Sequence, residues 1–403
     1  MIYLAIFIGL LILIYYYDWG GHYKERLFWF VLTLVIMICV TGLRYRIGTD
    51  SIRYENEYKE YPTLGELKAE HFKSTRYAPL YILFNSLCRT ITPEFMLVQF
   101  MVSIFINSVV FWFLYKNTRH IFFGAFLYYI FLYLNLNTEV LREAMAVGMF
   151  LLSWPFFQKG RWWAYYPIIA VACLFHVSAF VLLLLPVVTI PGIRYFFTFG
   201  KRTWIICIVL LGLTFAVKAY FFDFIQVIAL TENMAERAEV YSKKDIGGAI
   251  FNFFGFISQF IRVIIYPLIA MLFIQRARKA AHERINDKKE MVSLVSVYFG
   301  IMTIGIAILL RYNNYFLPFS FIVISNWAFS NLHFHKKTYR LKLFYWSLIF
   351  LPLVSVQIYS AYFANFNSSG TLKAYMVYYP YYHRLDPQED PDRESLIRYN
   401  RRI

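Results

Sequence analysis

The chain has 403 residues, of which 60% are hydrophobic and only 16% are charged, and its mean hydropathy is +0.50. A water-soluble domain averages about 45–50% apolar and about 25% charged residues, so this composition excludes an ordinary soluble fold. The apolar residues suffice for about twelve membrane crossings at ~20 residues each. Aromatic residues make up 21% of the chain, more than two interfacial belts require, so we expect many of them to pack between helices.

Twelve unbroken apolar runs predict an all-α fold, a polytopic membrane bundle of about twelve transmembrane helices, with roughly 11 to 14 as the range. The runs lie near residues 2–17, 27–43, 95–115, 121–137, 139–157, 164–175, 177–190, 204–222, 251–273, 291–310, 313–330 and 343–363. Those at 164–175 and 177–190 are too short to span fully at about 1.5 Å per residue, so they predict a hairpin of half-length or tilted helices around His176. The segment 78–92 is also too short and contains Arg89, so we expect it to be re-entrant or interfacial. If the segment 78–92 spanned the membrane, the predicted orientation of every later run would be reversed.

The net charge of +16 is unevenly distributed along the chain. Alternating the twelve runs places six short loops on one side, and these hold 19 Lys and Arg residues against five acids, a net charge of +14. The positive-inside rule makes this side cytoplasmic. The remaining 21 bases and 19 acids face outward, in parts that include the long loops 44–94 and 223–250. Because the bases are divided among short loops, they indicate topology and do not support a nucleic-acid partner.

The chain shows no internal repeat and no low-complexity linker. Residues 1–363 are therefore predicted to form a single polytopic membrane domain, followed by an extracytoplasmic tail at 364–403. The first run lacks a positively charged start and a small-residue cleavage site, which favours a retained helix over a signal peptide. The four cysteines lie far apart in apolar runs, without a CxxC pair, and we interpret them as small packing residues.

The segment 42–58 follows the second run and concentrates polar residues at the outer face. It reads GLRYRIGTDSIRYENEY, with Arg44, Arg46, Gly48, Asp50 and Tyr54 in chain order. An arginine at the centre of a membrane helix costs about 2.5–3.5 kcal/mol on insertion scales, so arginines near the bilayer are candidates for function. In an extended or turning segment both arginines could address one polyanion. The alternative is that they reach the phosphate headgroups of lipids.

Two further polar sites follow at the outer face. In NLNTEVLREAMAVG, residues 135–148, Thr138 is expected to cap the helix of the fifth run, and Arg142 is expected in its first turns. A surface salt bridge from Arg142 to Glu139, worth about 0.2–0.5 kcal/mol, is the alternative to a functional role. In LFHVSAF, His176 lies at the outward tip of the short hairpin, where a hydrogen-bonded packing role is the alternative.

The fourth polar site is ILLRYNNYFLPF, residues 308–319, where Arg311 ends the tenth run and Tyr312 and Tyr315 begin the return. An aromatic belt at the membrane interface is the alternative there. All four sites fall on one side of the predicted topology, which favours a common outer pocket. Arginines facing such a pocket suggest an anionic ligand, each adding up to about 4 kcal/mol of Coulomb attraction at about 4 Å before desolvation. The carboxylates that would hold Mg²⁺ or Mn²⁺ are absent from these motifs, so we expect no metal and no other cofactor.

At these residues the chain resembles the EpsG-like and Wzy-type polymerases of exopolysaccharide, O-antigen and capsule. The matching motifs are RIGTDSIRY, LNTEVLREAMAVG, FHVSAF, RYNNYFLPF and the aromatic YYPYYH at 378–383. The resemblance implies a multi-pass protein of the bacterial inner (cytoplasmic) membrane, similar in fold to multi-spanning lipid-dependent glycosyltransferases, with an active site on the extracytoplasmic side. It also implies metal-independent transfer of a growing glycan from a polyprenyl-pyrophosphate carrier onto the next lipid-linked repeat unit. The expected partners are that lipid-linked oligosaccharide, membrane lipid and a chain-length regulator.

The resemblance and the polar chemistry together suggest roles for individual residues. We expect catalysis to involve His176, Arg142, Arg311 and Asp50. The expected ligands of pyrophosphate and glycan are Arg44, Arg46, Tyr54, Asn137, Glu143, Tyr312 and Tyr315. Fixed arginine charge stabilises the negative charge that develops on a leaving phosphate.

The acceptor hydroxyl needs a general base, and the candidates are His176, Asp50 and Glu143. His176 is favoured for its reference pKa of about 6.5. Glu143 departs from the family, which commonly has Arg-Gln at this point, so the neutral hydrogen-bonding role is replaced by a carboxylate that could serve as the base.

Two other functions share these features. A transporter or flippase of the same lipid-linked oligosaccharide would also need a basic cavity, but it predicts repeat symmetry and polar residues at the membrane midplane. An O-antigen ligase-like transferase would share the outer arginines and the histidine, and only its products distinguish it.

Overall fold

The computed structural model describes residues 2–74, 78–227, 264, 268, 271, 288–303, 306, 309–330, 355 and 374–402. Secondary structure in this part of the chain is helical, and its β-type pairings are isolated bridges, of Arg44 with His383 and of His383 with Asp386. The predicted all-α class is confirmed for these residues. Outside the described residues lie most of the runs 251–273 and 343–363, residues 228–250 of the long outer loop, and residues 364–373 of the tail.

Contacts divide the chain into two compact units. The first is Met1–Leu183 together with Gln357–Ile403, and the second is Leu184–Val356. The tail therefore belongs with the N-terminal half of the chain. The single membrane domain expected over 1–363 stays a prediction, because a division by contacts does not test independent folding.

The first unit begins with a series of helices joined by short connections. Its α-helices up to residue 175 are α1 (Ile2–Leu13), α2 (Arg26–Gly42), α3 (Ser51–Glu60), α4 (Ala69–Ser74), α5 (Pro79–Ile91), α6 (Met96–Asn117), α7 (Ile121–Tyr128), α8 (Leu141–Gln158) and α9 (Trp162–Phe175). Helix α1 continues as a π-helical turn, Ile14–Trp19. Two further π-helical stretches, Tyr129–Tyr133 and Asn135–Glu139, separate α7 from α8.

A 3₁₀ helix, Val177–Thr189, follows α9 and continues into the second unit. The described helices of that unit are α10 (Pro191–Arg194), α11 (Lys201–Val227), α12 (Lys288–Met302) and α13 (Leu310–Ser330). Helices α12 and α13 pack against each other, and the hydroxyls of Ser293 and Ser320 are hydrogen bonded at 2.8 Å. The C-terminal tail of the first unit contains a 3₁₀ turn, Ala374–Val377, and a last helix, α14 (Pro391–Arg402).

Among the described residues, two helical segments are long and apolar enough to cross a membrane. They are Ile2–Trp19 and Met96–Asn117, and a third candidate is Val177–Thr189 with Pro191–Phe197, a pair bent by 95°. Three shorter apolar helices, Arg26–Gly42, Ile121–Tyr133 and Trp162–Phe175, also coincide with expected runs. The protein is therefore a helical membrane protein, and the total of twelve crossings stays a prediction.

The break at His176 is confirmed in the structure, whereas the re-entrant or interfacial placement of 78–92 stays a prediction. Helix α9 ends at Phe175, and the next helix begins at Val177, so His176 marks the break between the two short segments. The segment 78–92 forms α5, whose 13 residues are about 20 Å long and too short for a full crossing.

Close packing of α6 against α2 and α8 positions the chain ends that form the candidate site. A Cβ at Gly42 would meet the ring of Phe100, and a Cβ at Gly148 would meet the ring of Phe105. Glycine at these two positions lets the α6 aromatic rings lie against the neighbouring helix backbones. Helix α6 thereby fixes the positions of both the end of α2 and the body of α8.

Candidate active site

The turn at Gly48 brings the segment after α2 against the residues that precede α8. Gly48 has a φ of +106°, which favours glycine. A Cβ at this position would lie 2.9 Å from Thr138 Cβ and 3.1 Å from Glu139 Oε1. Both the backbone conformation and the close approach therefore require glycine, and two of the sequence motifs lie in direct contact.

The carboxylate of Glu139 joins these two motifs to the tail. It accepts the backbone N–H of Thr49 at 3.0 Å on each oxygen, and it also accepts the Thr49 hydroxyl. The hydroxyl of Tyr378 donates to Oε1 at 3.1 Å, and the hydroxyl oxygen of Thr138 lies at the same distance from Oε1. The Tyr54 hydroxyl donates to the backbone carbonyl of Glu139 at 3.0 Å. Glu139 thus acts as the anchor of the Gly48 turn.

Arg142 lies in the first turn of α8, as expected from the sequence. Its guanidinium lies over the Tyr81 ring, 5.9 Å from the ring centroid, and is hydrogen bonded to the Tyr54 phenol. Its charge also interacts with the Asp50 carboxylate. A half-buried arginine and a partly exposed carboxylate therefore lie within electrostatic range of each other near the N-terminal end of an 18-residue helix.

The Asp50 carboxylate is held in a mixed electrostatic environment. It forms a salt bridge with Arg53 at 2.6 Å, and 32% of its side chain is exposed. Burial raises the pKa of this carboxyl above its ordinary value. The charges of Arg53 and Arg142 oppose that rise, whereas those of Glu139 and Glu57 add to it. Because its pKa is raised, Asp50 is a stronger proton acceptor than an ordinary surface aspartate.

Arg44 is buried, with 1% of its surface exposed. Its Nε donates to the carbonyl of Ile47 at 3.3 Å, and its Nη1 donates to the carbonyl of Thr41. Its Nη2 has no hydrogen-bond partner in the part of the chain that the structure describes. Burial lowers the pKa of the Arg44 guanidinium to about 10, so the group stays charged at neutral pH.

Arg46 has different partners from Arg44. Its guanidinium forms ion pairs with Glu55 at 3.1 Å, Glu389 at 3.1 Å and Glu394 at 2.7 Å. The two arginines therefore have different protein partners in the part of the chain that the structure describes, and their joint action on one anion stays untested. The charge of Arg46 links the segment after α2 to the tail, and its role as a pyrophosphate ligand stays a prediction.

The tail lies along the segment that contains Arg44. The backbone N–H of Tyr45 donates to the carbonyl of Tyr382 at 2.9 Å, and the N–H of Arg384 donates to the carbonyl of Leu43 at 2.8 Å. Within the tail, Arg393 is 2% exposed and donates to two tail carbonyls. These contacts make the tail part of the same folded unit as the candidate site.

Asn137 and Glu143, two expected glycan ligands, are 1% and 2% exposed. The Asn137 Oδ1 accepts from Asn107 Nδ2 at 2.8 Å and from the Thr41 hydroxyl at 3.3 Å. Its Nδ2 donates to the carbonyl of Tyr133 at 2.8 Å. These bonds show that Asn137 ties α2 and α6 to the π-helical stretch. A ligand role for either residue stays a prediction.

His176 is buried, with 9% of its surface exposed. Its Nδ1 accepts the backbone N–H of Ser178 at 3.2 Å and is hydrogen bonded to the Ser178 hydroxyl. An N–H can donate only to an unprotonated ring nitrogen, so the neutral imidazole carries its proton on Nε2. This geometry favours a donor role for His176 over the expected general-base role.

The last set of expected residues lies in the second unit. Arg311 is exposed in the first turn of α13, the Tyr312 ring lies 5.4 Å from that of Phe299, and Tyr315 is fully buried. The expectation that Arg311 ends the tenth helix is wrong. Helix α12 ends at Met302, after which the chain turns, and Arg311 belongs to the next helix. The functional roles of these residues stay predictions.

The expected N-cap of α8 is also wrong. Helix α8 is preceded by Val140, and Thr138 instead donates its hydroxyl to the carbonyl of Leu134 at 2.7 Å. The reason is that the π-helical stretch Asn135–Glu139 continues past Thr138, which keeps this residue inside helical structure. π-Helical stretches are frequent at functional sites, because they redirect the side chains that follow them.

Two parts of the site were not found from the sequence. The anchoring role of Glu139 is one, since its spacing from Arg142 indicated only a surface salt bridge. The other part is the tail. Its motif YYPYYH at 378–383 was the available signal, but it did not indicate which residues the tail contacts. No group of three or more His, Cys, Asp or Glu residues suited to a metal ion lies in the described ranges. Metal independence stays a prediction.

The cluster of Asp50, Tyr54 and Arg142 can perform two chemical tasks. Arg142 and the first backbone N–H groups of α8 can stabilise negative charge on an anion, because a helix N-terminus carries a partial positive charge. Asp50 can accept a proton from a hydroxyl bound beside it. Such a pair suits a reaction that expels an anionic leaving group from one substrate and deprotonates another.

Comparison with known proteins identifies the family of the chain. No curated protein and no solved structure shows significant similarity to it. The model of the EpsG family matches residues 26–382, most of the chain, and the matched region includes every expected site residue. The chain therefore belongs to the EpsG family.

Proposed function

We propose that the protein is a membrane polysaccharide polymerase that transfers a glycan from a polyprenyl diphosphate onto the hydroxyl of a lipid-linked repeat unit. Membership of the EpsG family supports a polymerase function. The observation that carries the proposed chemistry is the electrostatic interaction between Asp50 and Arg142, which lies in the first turn of α8. The proposed location is the extracytoplasmic side of the bacterial inner membrane.

The donor half of the reaction requires a stabilised leaving group. The bond between the anomeric carbon of the donor glycan and the diphosphate oxygen breaks, and its electron pair stays on the diphosphate. The Arg142 guanidinium and the N-terminal N–H groups of α8 stabilise that charge. The Tyr54 phenol and the Tyr81 ring hold the guanidinium in place. Preorganised charge of this kind lowers the barrier more than it tightens ground-state binding.

The acceptor half of the reaction requires a proton acceptor. The acceptor hydroxyl oxygen forms the new bond to the anomeric carbon, and its proton goes to the Asp50 carboxylate. The raised pKa and the 32% side-chain exposure of Asp50 support this role. His176 has its Nδ1 occupied, so we assign it hydrogen-bond donation to the substrate and not deprotonation. Asp50 thus replaces His176 as the favoured base.

The test uses purified protein in lipid nanodiscs with a lipid-linked repeat unit as the only substrate. Polymerisation gives a ladder of glycans on polyprenyl diphosphate, together with released polyprenyl diphosphate. We expect Arg142→Ala and Asp50→Asn to remove the ladder, and EDTA to leave the wild-type ladder intact. Movement of the lipid between leaflets without any new glycosidic bond would contradict the polymerase proposal and favour a flippase.

Matched control variants distinguish the effect of removing a charge at the proposed site from the effect of removing a charge elsewhere on the protein. Arg161 precedes α9 and is exposed, and Asp392 is exposed in the first turn of α14. We expect Arg161→Ala and Asp392→Asn to give wild-type ladders. Ladders reduced equally in controls and site variants would contradict the assignment of the chemistry to Asp50 and Arg142.

A further inference from the structure

An apolar groove lies between α1, with its π-helical extension, and α2. Its cavity volume is about 610 Å³, within the range of about 300–1,000 Å³ that is common for ligand pockets. Its walls are aliphatic and aromatic side chains, apart from Glu25 and Thr33. Helix α1 with its extension is a candidate membrane span, so we expect this groove to face the apolar part of the bilayer, where it suits a hydrocarbon chain.

The two ends of the groove differ in charge. One end is lined by Glu25 and Trp29, where α2 begins, and an anionic headgroup would be repelled there. The other end is lined by Ile2, the first residue of α1. The ring of the adjacent Tyr3 packs against that of Tyr381, whose hydroxyl donates to the carbonyl of Val40 at 2.9 Å, four residues before Arg44. The positively charged end of the groove is therefore the one near the C-terminal end of α2. From there the chain continues to the Gly48 turn.

Arg44 does not line the groove itself, but its position beyond this end gives a second, independent indication of a ligand. The side chain is 1% exposed, and its Nη2 has no hydrogen-bond partner in the described part of the chain. A buried guanidinium nitrogen without a partner carries a desolvation cost that a phosphate oxygen would offset. The ring of Tyr381 packs edge-on against that of Tyr3 at 6.1 Å between centroids, so the tail also covers this end.

The middle of the groove is open at Gly9. A Cβ built on this residue would meet no atom within 4 Å, although Gly9 lies inside a helix that would otherwise favour a larger residue. The neighbouring residues Ile8 and Leu11 point to other faces of α1 and do not line the groove. The helix therefore leaves space on the groove side that a side chain could occupy without a clash.

We propose that the groove between α1 and α2 binds the isoprenoid chain of the lipid-linked diphosphate substrate, with the diphosphate at the Arg44 end. This inference rests on the proposed function, because that function supplies a substrate with an anionic head and a long apolar chain. Helix α2 connects the groove to Asp50 within eight residues of its end at Gly42. A chain lying in the groove would thus place the diphosphate on the side of the molecule where the cluster of Asp50, Tyr54 and Arg142 lies.

The first experiment fills the groove. Gly9→Trp and the control Leu11→Trp are assayed with a repeat unit carried either on a long polyprenyl diphosphate or on the five-carbon dimethylallyl diphosphate, whose chain is too short to reach Gly9 from the Ile2 end. For Gly9→Trp we expect KM for the long-chain substrate to rise by about tenfold or more, the effect of excluding roughly two methylene groups from apolar burial. We expect KM for the dimethylallyl substrate to change much less, and Leu11→Trp to behave like wild type. An unchanged KM in Gly9→Trp, or an equal loss with both substrates, would overturn the inference.

The second experiment measures binding without catalysis. A photoactivatable polyprenyl phosphate is crosslinked to the wild-type protein in nanodiscs, and the labelled peptides are identified by mass spectrometry. We expect labelling within residues 2–17 that excess polyprenyl phosphate removes and phosphatidylglycerol does not. Equal competition by phosphatidylglycerol would show a bulk-lipid contact and overturn the inference. Selective labelling of a protein that shows no polymerase activity would support lipid binding in the groove and would contradict the proposed polymerase function.

Discussion

The hydroxyl of Tyr378 donates a hydrogen bond to Oε1 of Glu139 at 3.1 Å, although the two residues are 239 positions apart in the sequence. Glu139 also holds the backbone of Thr49 beside the Gly48 turn. The tail thus reaches the carboxylate that holds the backbone of Thr49, the residue before Asp50. This relationship makes the C-terminal residues part of the candidate active site's support.

Tyr378→Phe tests that link. The substitution removes a hydrogen bond to a charged acceptor, a change that typically costs about 1.5–3 kcal/mol. We expect earlier proteolysis of the tail and a lower rate of glycan extension. The control is Tyr379→Phe, because Tyr379 is 48% exposed. Equal behaviour of the two variants would show that the Tyr378 contact does not support the site.

A charge exchange tests the second attachment of the tail. Arg46→Glu places a fourth carboxylate among Glu55, Glu389 and Glu394, so we expect the tail to detach and extension to fail. Adding Glu394→Arg restores an opposite-charge pair, and we expect it to recover part of the activity. The measurement is glycan extension together with protease protection of the tail. A double variant no better than Arg46→Glu would argue against a direct contact.

Gly48→Ala tests the turn that joins the two motifs. The alanine Cβ would lie 2.9 Å from Thr138 Cβ at a φ of +106°, and the strain is on the order of 1–3 kcal/mol. We expect membrane insertion to persist and glycan extension to fall sharply. Gly21→Ala is the matched control, since Gly21 has a φ of +68° with no atom within 4 Å of its Cβ. Comparable loss in both variants would attribute the effect to backbone strain and not to the contact with Thr138.

The pH dependence of extension tests Asp50 as the base. A base is active when deprotonated, so activity falls as the pH drops through the Asp50 pKa, which burial raises. The nearby charges are those of Arg53, Glu57, Glu139 and Arg142. Glu139→Gln removes a negative charge that raises this pKa, so its acidic limb should move to lower pH. Arg142→Gln removes a positive charge that lowers the same pKa, so its limb should move to higher pH. Shifts of the opposite sign would exclude Asp50 as the titrating base.

The sequence predicted the helices of the first unit well because hydropathy reports burial in the membrane directly. The apolar runs at 95–115 and 139–157 correspond to α6 (Met96–Asn117) and α8 (Leu141–Gln158), and the break at His176 was located to the residue. These features depend on local composition. The start of α8 was mispredicted at Thr138, because a π-helical stretch depends on packing and not on capping residues.

The candidate site was predicted only in part. Arg142, Asp50 and Tyr54 were named from their motifs, and the structure brings these three together. Arg44 and Arg46, only two positions apart, were expected to act on one anion, yet one is buried and the other is paired with carboxylates of the tail and α3. Sequence spacing does not show which partner a long side chain reaches when that partner is more than 340 residues away.

The most direct test of the account is a single-turnover measurement of glycosidic bond formation by purified protein saturated with donor and acceptor. Release of polyprenyl diphosphate and growth of the glycan are followed by rapid quenching in the wild type, Arg142→Ala and Asp50→Asn. We predict one diphosphate released per bond formed, and rates about 10²–10³-fold lower in Arg142→Ala, with a large loss also in Asp50→Asn. Wild-type rates of bond formation in both variants would contradict it.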